Sequence, residues 1–182
     1  KEVDHSAGLR LNGALSIAQT DARWQELQRQ ATTAQLYDVD LQILNKETIK
    51  KNYPMMETND LKGGVLMPGD GAADPSGVTH MLAKAARKGG AKIFEKSSVE
   101  KILTKNGRIH GVKVNQKEIE CEYVVLATGM WSRQIGEQMN VSIPLYPAEH
   151  FYVITEPIKD LSKTLPVIRD FDSSVYFKED AG

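Results

Sequence analysis

A chain of 182 residues, 41% of them hydrophobic, can fill one core of ordinary size or two small lobes. Its formal net charge of -1, from 23 Lys and Arg against 24 Asp and Glu, leaves no basic face to neutralise phosphates, which argues against nucleic acid as a partner. No apolar run approaches the ~20 residues that span a bilayer, no secretory signal opens the chain, and a single cysteine excludes an intramolecular disulfide.

In chain order, Leu9, Leu11, Leu15 and Ile17 alternate about Asn12-Gly13, which predicts a strand or tight hairpin. Thr20 or Asp21 then caps an amphipathic helix carrying Trp24, Leu27, Ala31 and Ala34 on one face. DLQILN reads as a short strand, and Asn45 caps a brief helix that must end before Tyr53-Pro54. GGVLM is a strand broken by Pro68-Gly69-Asp70-Gly71. Asp74-Pro75 starts a second long helix, which Gly89-Gly90 stops.

Strand AKIFE follows, then a hairpin of two alternating runs around Asn106-Gly107. EIECEYVVLAT is expected to be the next strand, WSRQIGEQM a short helix, and AEHFYVITEP a last well-formed strand before the strand-like SVYF. The order of elements predicts an α/β fold with an inserted antiparallel hairpin. Tyr123 to Ala127 are apolar at successive positions, the pattern of a parallel strand covered on both faces. Thr128-Gly129 then lies at its carboxyl end, where open α/β sheets place ligands and where glycine lets a flat molecule reach the backbone. A plain strand-end turn is the alternative. Cys121, inside the same run, reads as a buried structural thiol, and a free thiol suits a reducing compartment such as mitochondrial matrix or bacterial cytoplasm.

His150 and Tyr152, two residues apart on the expected strand, share a face. They are either an imidazole and a phenol directed into a substrate pocket, or a hydrogen-bonded sheet histidine beside a half-buried tyrosine. His80 and His110 read as solvated or packing residues, and no histidine or cysteine spacing suits a metal.

GDGAADPSGVTHMLAKAARKGGAKI, SSVEKI, the apolar strand ending ATGMW, and IPLYPAEHFYVIT together resemble the D-amino-acid-oxidase superfamily of flavoproteins. Within it, these segments, with GLRLNGALSIAQTDARW and LPVIRDFDSSVYF, are most similar to the sarcosine dehydrogenase and dimethylglycine dehydrogenase group. The resemblance implies FAD as cofactor, an α+β substrate lobe and part of a doubly wound FAD-binding lobe. It divides the chain into 1–68, a substrate-domain portion, 69–143, the second half of the FAD-binding domain, and 144–182, truncated substrate-domain strands.

By the same resemblance the Val99 backbone meets the adenine edge, and Ala127, Thr128 and Gly129 line the cofactor with Trp131 just beyond. A core valine is the other reading of Val99. His150 and Tyr152 fall beside the flavin ring, and Tyr176 near the bound amine. His5, in HSAGL, stands too close to NGALSIA to be the histidine through which relatives attach FAD, and is left out of the site.

The implied activity is oxidation of a small N-methyl amino acid such as sarcosine or dimethylglycine. The alternative is a binding protein of the same family, like the regulatory subunit of pyruvate dehydrogenase phosphatase. The chain opens at Lys1 and has no G-x-G-x-x-G loop, so the expectation is a piece of a longer protein. Taken alone, that piece should be inactive and hold no FAD, and its uncovered sheet edges could drive self-association.

Overall fold

A computed structural model describes residues 6–179, so His5 lies outside the described residues. The chain forms two compact units, one of residues 1–91 with 155–182 and the other of residues 92–154.

The first unit is built on a five-stranded sheet. Strands β1 (Ala14–Ala18), β2 (Gln42–Leu44), β3 (Gly63–Met67), β7 (Val167–Asp170) and β8 (Val175–Phe177) lie in the order β2-β3-β1-β7-β8. β1 is antiparallel to β3 and parallel to β7. Its alternation decides the layers: Leu15 and Ile17 pack with Ile49, Tyr53 and Leu61, while Ala18 packs with Leu27, Ala31 and Val65.

Helix α1 (Asp21–Ala34) brings Leu27 and Ala31 to the second of these clusters, and α2 (Lys46–Asn52) brings Ile49 to the first. Thr20 caps α1 by accepting from the Arg23 amide, and Asn45 caps α2 by accepting from the Thr48 amide. A Cβ on Gly63 would lie 2.7 Å from the Trp24 ring, so β3 passes this close to α1 only with glycine there. Burial pushes the Tyr53 phenol up, and its hydroxyl donates to the Pro166 carbonyl, tying α2 to the segment before β7. Helix α3 (Pro75–Lys88) starts where Asp74 accepts from the Ser76 and Gly77 amides at 3.0 and 2.9 Å, and it stops at Gly89.

The second unit holds a three-stranded antiparallel meander, β4 (Val99–Lys105), β5 (Arg108–Val114) and β6 (Lys117–Glu120), with short helix α4 (Ser132–Glu137). Asn106 and Gly107 both have positive φ, as the two-residue hairpin requires.

Two expected strands are absent and a third is cut short. Ala91–Glu95 forms none, β6 ends at Glu120, and neither Cys121–Thr128 nor Ala148–Pro157 enters a sheet. Tyr123 and Val125, expected to be buried, are 85% and 86% exposed. A run that is apolar on both faces needs flanking strands and covering helices, and among the described residues none pairs with it. Conversely β7, not anticipated from the sequence, is central to the first sheet. Of the strand or tight hairpin expected before α1, a strand forms, and Arg10 makes an isolated bridge to Ala72.

Candidate functional site

The residues expected to meet a cofactor all fall in the second unit, as do His150 and Tyr152, whereas Tyr176 falls in the first. Val99 opens β4, faces Val114 on β5 and is half-exposed, so it is not an interior core valine; a register shift follows it before Lys101. The extended chain ends at Thr128 in a single 3-10 turn, Gly129–Trp131, that leads into α4. Thr128 Oγ1 and Ser132 Oγ lie 2.9 Å apart and brace this turn.

Gly129 adopts φ +54, and a Cβ built on it would meet no atom within 4 Å. The main chain is therefore bare at this turn, and Trp131 beside it is 62% exposed. The turn offers exposed backbone groups and an aromatic face, the kinds of partner a planar ring system uses. The open backbone expected at Thr128-Gly129 is found, while the strand expected to carry it is not. His150 and Tyr152 lie outside any strand or helix, and Tyr152 is 75% exposed. Without a pleat, their two-residue spacing no longer places them on one face.

In the first unit, Tyr176 on β8 stands directly across from Arg169 on β7. Both line a cavity of about 640 Å³, with Gly71, Val167, Phe171 and Lys178 among its other walls. Arg169 Nη2 donates to Asp70 at 3.0 Å. Asp70 itself is fixed: its other oxygen accepts from the Gly71 amide at 2.7 Å, and its own amide bonds to the Met67 carbonyl. Sequence analysis did not single out Arg169, because β7, with Arg169 and Asp170 among its four residues, carries little strand pattern. A second cavity, about 570 Å³ beside α4 and lined by Arg133, Glu137 and Tyr146 among others, contains none of the expected residues. Among the described residues no group of three His, Cys, Asp or Glu could hold a metal ion, and no helix is long and apolar enough to cross a membrane.

The DAO family model, described as FAD dependent oxidoreductase, matches residues 1–182. The chain belongs to this family. FAD is the cofactor of DAO-family proteins, and the mixed α/β fold is theirs as well.

Among curated relatives, 4-methylaminobutanoate oxidase (formaldehyde-forming) of Paenarthrobacter nicotinovorans is 35% identical over 93% of this chain and 21% of its own length. Human mitochondrial sarcosine dehydrogenase is 33% identical over 98% of this chain and 20% of its own. The mitochondrial pyruvate dehydrogenase phosphatase regulatory subunit of mouse is 30% identical over 98% and 21%. Among solved structures, L-proline dehydrogenase from P. horikoshii matches with a TM-score of 0.88 at 28% identity, over 95% of this chain and 47% of that one. The chain thus spans about a fifth of the length of the curated relatives it matches.

Proposed function

We propose that the protein containing this chain oxidises small N-methyl amino acids, with residues 69–143 forming part of its FAD-binding lobe and residues 1–68 and 144–182 part of its substrate lobe. The observation that carries this reading is the likeness, over more than nine-tenths of the chain, to a formaldehyde-forming 4-methylaminobutanoate oxidase and to a sarcosine dehydrogenase. FAD, if bound, would supply a two-electron acceptor for the hydride of the C–H bond next to the amine nitrogen.

This chain's own residues do the holding. The bare backbone of Ala127, Thr128 and Gly129, with the Trp131 ring beside it, receives the cofactor, and Val99 offers a backbone donor and acceptor to the adenine edge. His150 and Tyr152 orient the amine and favour its neutral form, the one able to release a hydride. Tyr176, on β8 of the first unit, is a separate candidate for contact with substrate. The strand edges left with one neighbour among the described residues, β2 and β8 in one sheet and β4 and β6 in the other, are open to self-association.

The match to the phosphatase regulatory subunit favours a second reading, a binding protein of the same family. One experiment separates the two. The full-length protein, loaded with FAD and mixed anaerobically with sarcosine, dimethylglycine or 4-methylaminobutanoate, should lose the visible absorbance of oxidised flavin and release formaldehyde. A protein that carries flavin yet stays oxidised with all three is not an N-methyl amino acid oxidoreductase.

A further inference from the structure

The sequence holds two Asn-Gly pairs, and the fold treats them oppositely. Glycine after asparagine leaves the main-chain nitrogen uncrowded, so in this pair it can reach the side-chain carbonyl carbon of its neighbour. Asn12-Gly13 is locked. Asn12 Nδ2 donates to the Leu165 carbonyl at 2.5 Å, and the Gly13 amide, whose nitrogen would attack, donates to the Asp70 carbonyl at 2.8 Å. Asn12 Oδ1 is buried, so negative charge developing there would be cut off from water.

Asn106-Gly107 stands in the open. Both residues are exposed in the two-residue turn between β4 and β5, where a Cβ built on Gly107 would meet no atom within 4 Å. Their φ values of 53° and 74° are those that favour Asn-Gly, so the demands of the turn bring the reactive pair to the surface. Lys105 and Arg108 face each other across it, two like charges that a carboxylate between them would relieve.

We propose that Asn106 is a site of spontaneous deamidation, with water as the co-reactant, and that the fold spares Asn12. The site stands apart from the function proposed above, in which neither residue takes part. The Gly107 nitrogen bonds to Asn106 Cγ, the Cγ–Nδ2 bond breaks, and ammonia leaves with the proton of the attacking nitrogen, closing a cyclic imide. Water then opens the ring. Attack at Cγ leaves aspartate, and attack at the main-chain carbonyl leaves isoaspartate, whose backbone runs through Cγ and is one atom longer. Nothing is oxidised or reduced, and either product places a negative charge between Lys105 and Arg108.

The test incubates the full-length protein at neutral and mildly alkaline pH in water enriched in heavy oxygen, and weighs its peptides after digestion. The Asn106 peptide should exchange an amide nitrogen for one heavy oxygen, at a rate rising about tenfold per pH unit because the attacking nitrogen must shed its proton. The Asn12 peptide should react at least about tenfold more slowly, since two hydrogen bonds must open first. In denaturant the two pairs should react at similar rates, because the fold and not the sequence separates them. An Asn106 peptide that keeps its mass, a native Asn12 that reacts as fast as Asn106, or a difference in rate that survives denaturation would overturn the proposal.

Discussion

Asp172 illustrates how single side chains join distant parts of this chain. Its carboxylate accepts from the Gln19 amide at 3.1 Å, from Arg23 Nε at 3.3 Å and from the Thr20 amide at 3.4 Å, so the turn after β7 holds the start of α1. Those bonds, that from Gln19 foremost, lower its pKa below the ordinary aspartate value. A carboxyl whose pKa is lower folded than unfolded binds fewer protons when folded, so its stabilisation is present above the unfolded pKa. It is lost as pH falls through the folded value. The unfolding midpoint should therefore drop as pH falls below the ordinary aspartate value of about 4, and Asp172→Asn should flatten that drop while lowering the midpoint at neutral pH. Denaturant titrations across that range measure both, and a variant with an unchanged pH slope would contradict the assignment. Residue-scale features of this kind were poorly legible beforehand, since Asp172 and Gln19 stand 153 positions apart and no local pattern joins them.

At the scale of elements, the local signals read well wherever they were self-contained. Thr20, Asn45 and Asp74 each cap the helix their chemistry predicted, and GGVLM is a strand from Gly63 to Met67. Asp74→Ala removes acceptors for two amides at the start of α3. It should cost about 1 kcal/mol locally, raising hydrogen exchange of the first-turn amides of α3 roughly fivefold and leaving α1 and α2 unchanged. No change at α3 would mean that its first turn is held by something other than the Asp74 carboxylate.

The misreadings were of elements whose form depends on distant partners. The runs 122–128 and 148–157 carry strand-like side chains but pair with no strand among the described residues. β7, with Arg169 and Asp170 in only four residues, has little local signature and exists because β1 and β8 flank it. The candidate site divides along the same line. The bare backbone at Gly129 was legible from one residue type, whereas Arg169 beside Tyr176 required the register.

For the whole molecule, the unpaired runs make a direct forecast. Val125, Phe151 and Val153 are all largely exposed in this chain, and apolar side chains at such density are costly to leave in water. Hydrogen exchange compared between the 182-residue chain and the full-length protein should show amides of 121–128 and 148–154 exchanging rapidly in the first and protected in the second. Rapid exchange in both would mean that these runs are not strands of a larger sheet. Confirmed protection would place Thr128-Gly129 back at a strand end, which is where the cofactor assignment needs it.

The proposed activity requires the full-length protein to break a carbon–hydrogen bond of an N-methyl amino acid. Stopped-flow reduction of the full-length, FAD-loaded protein by sarcosine with either a CH3 or a CD3 group on nitrogen tests it most directly. Slower bleaching of the flavin with the deuterated methyl group is the predicted result. Equal rates for the two isotopologues, or no bleaching with either, would contradict it.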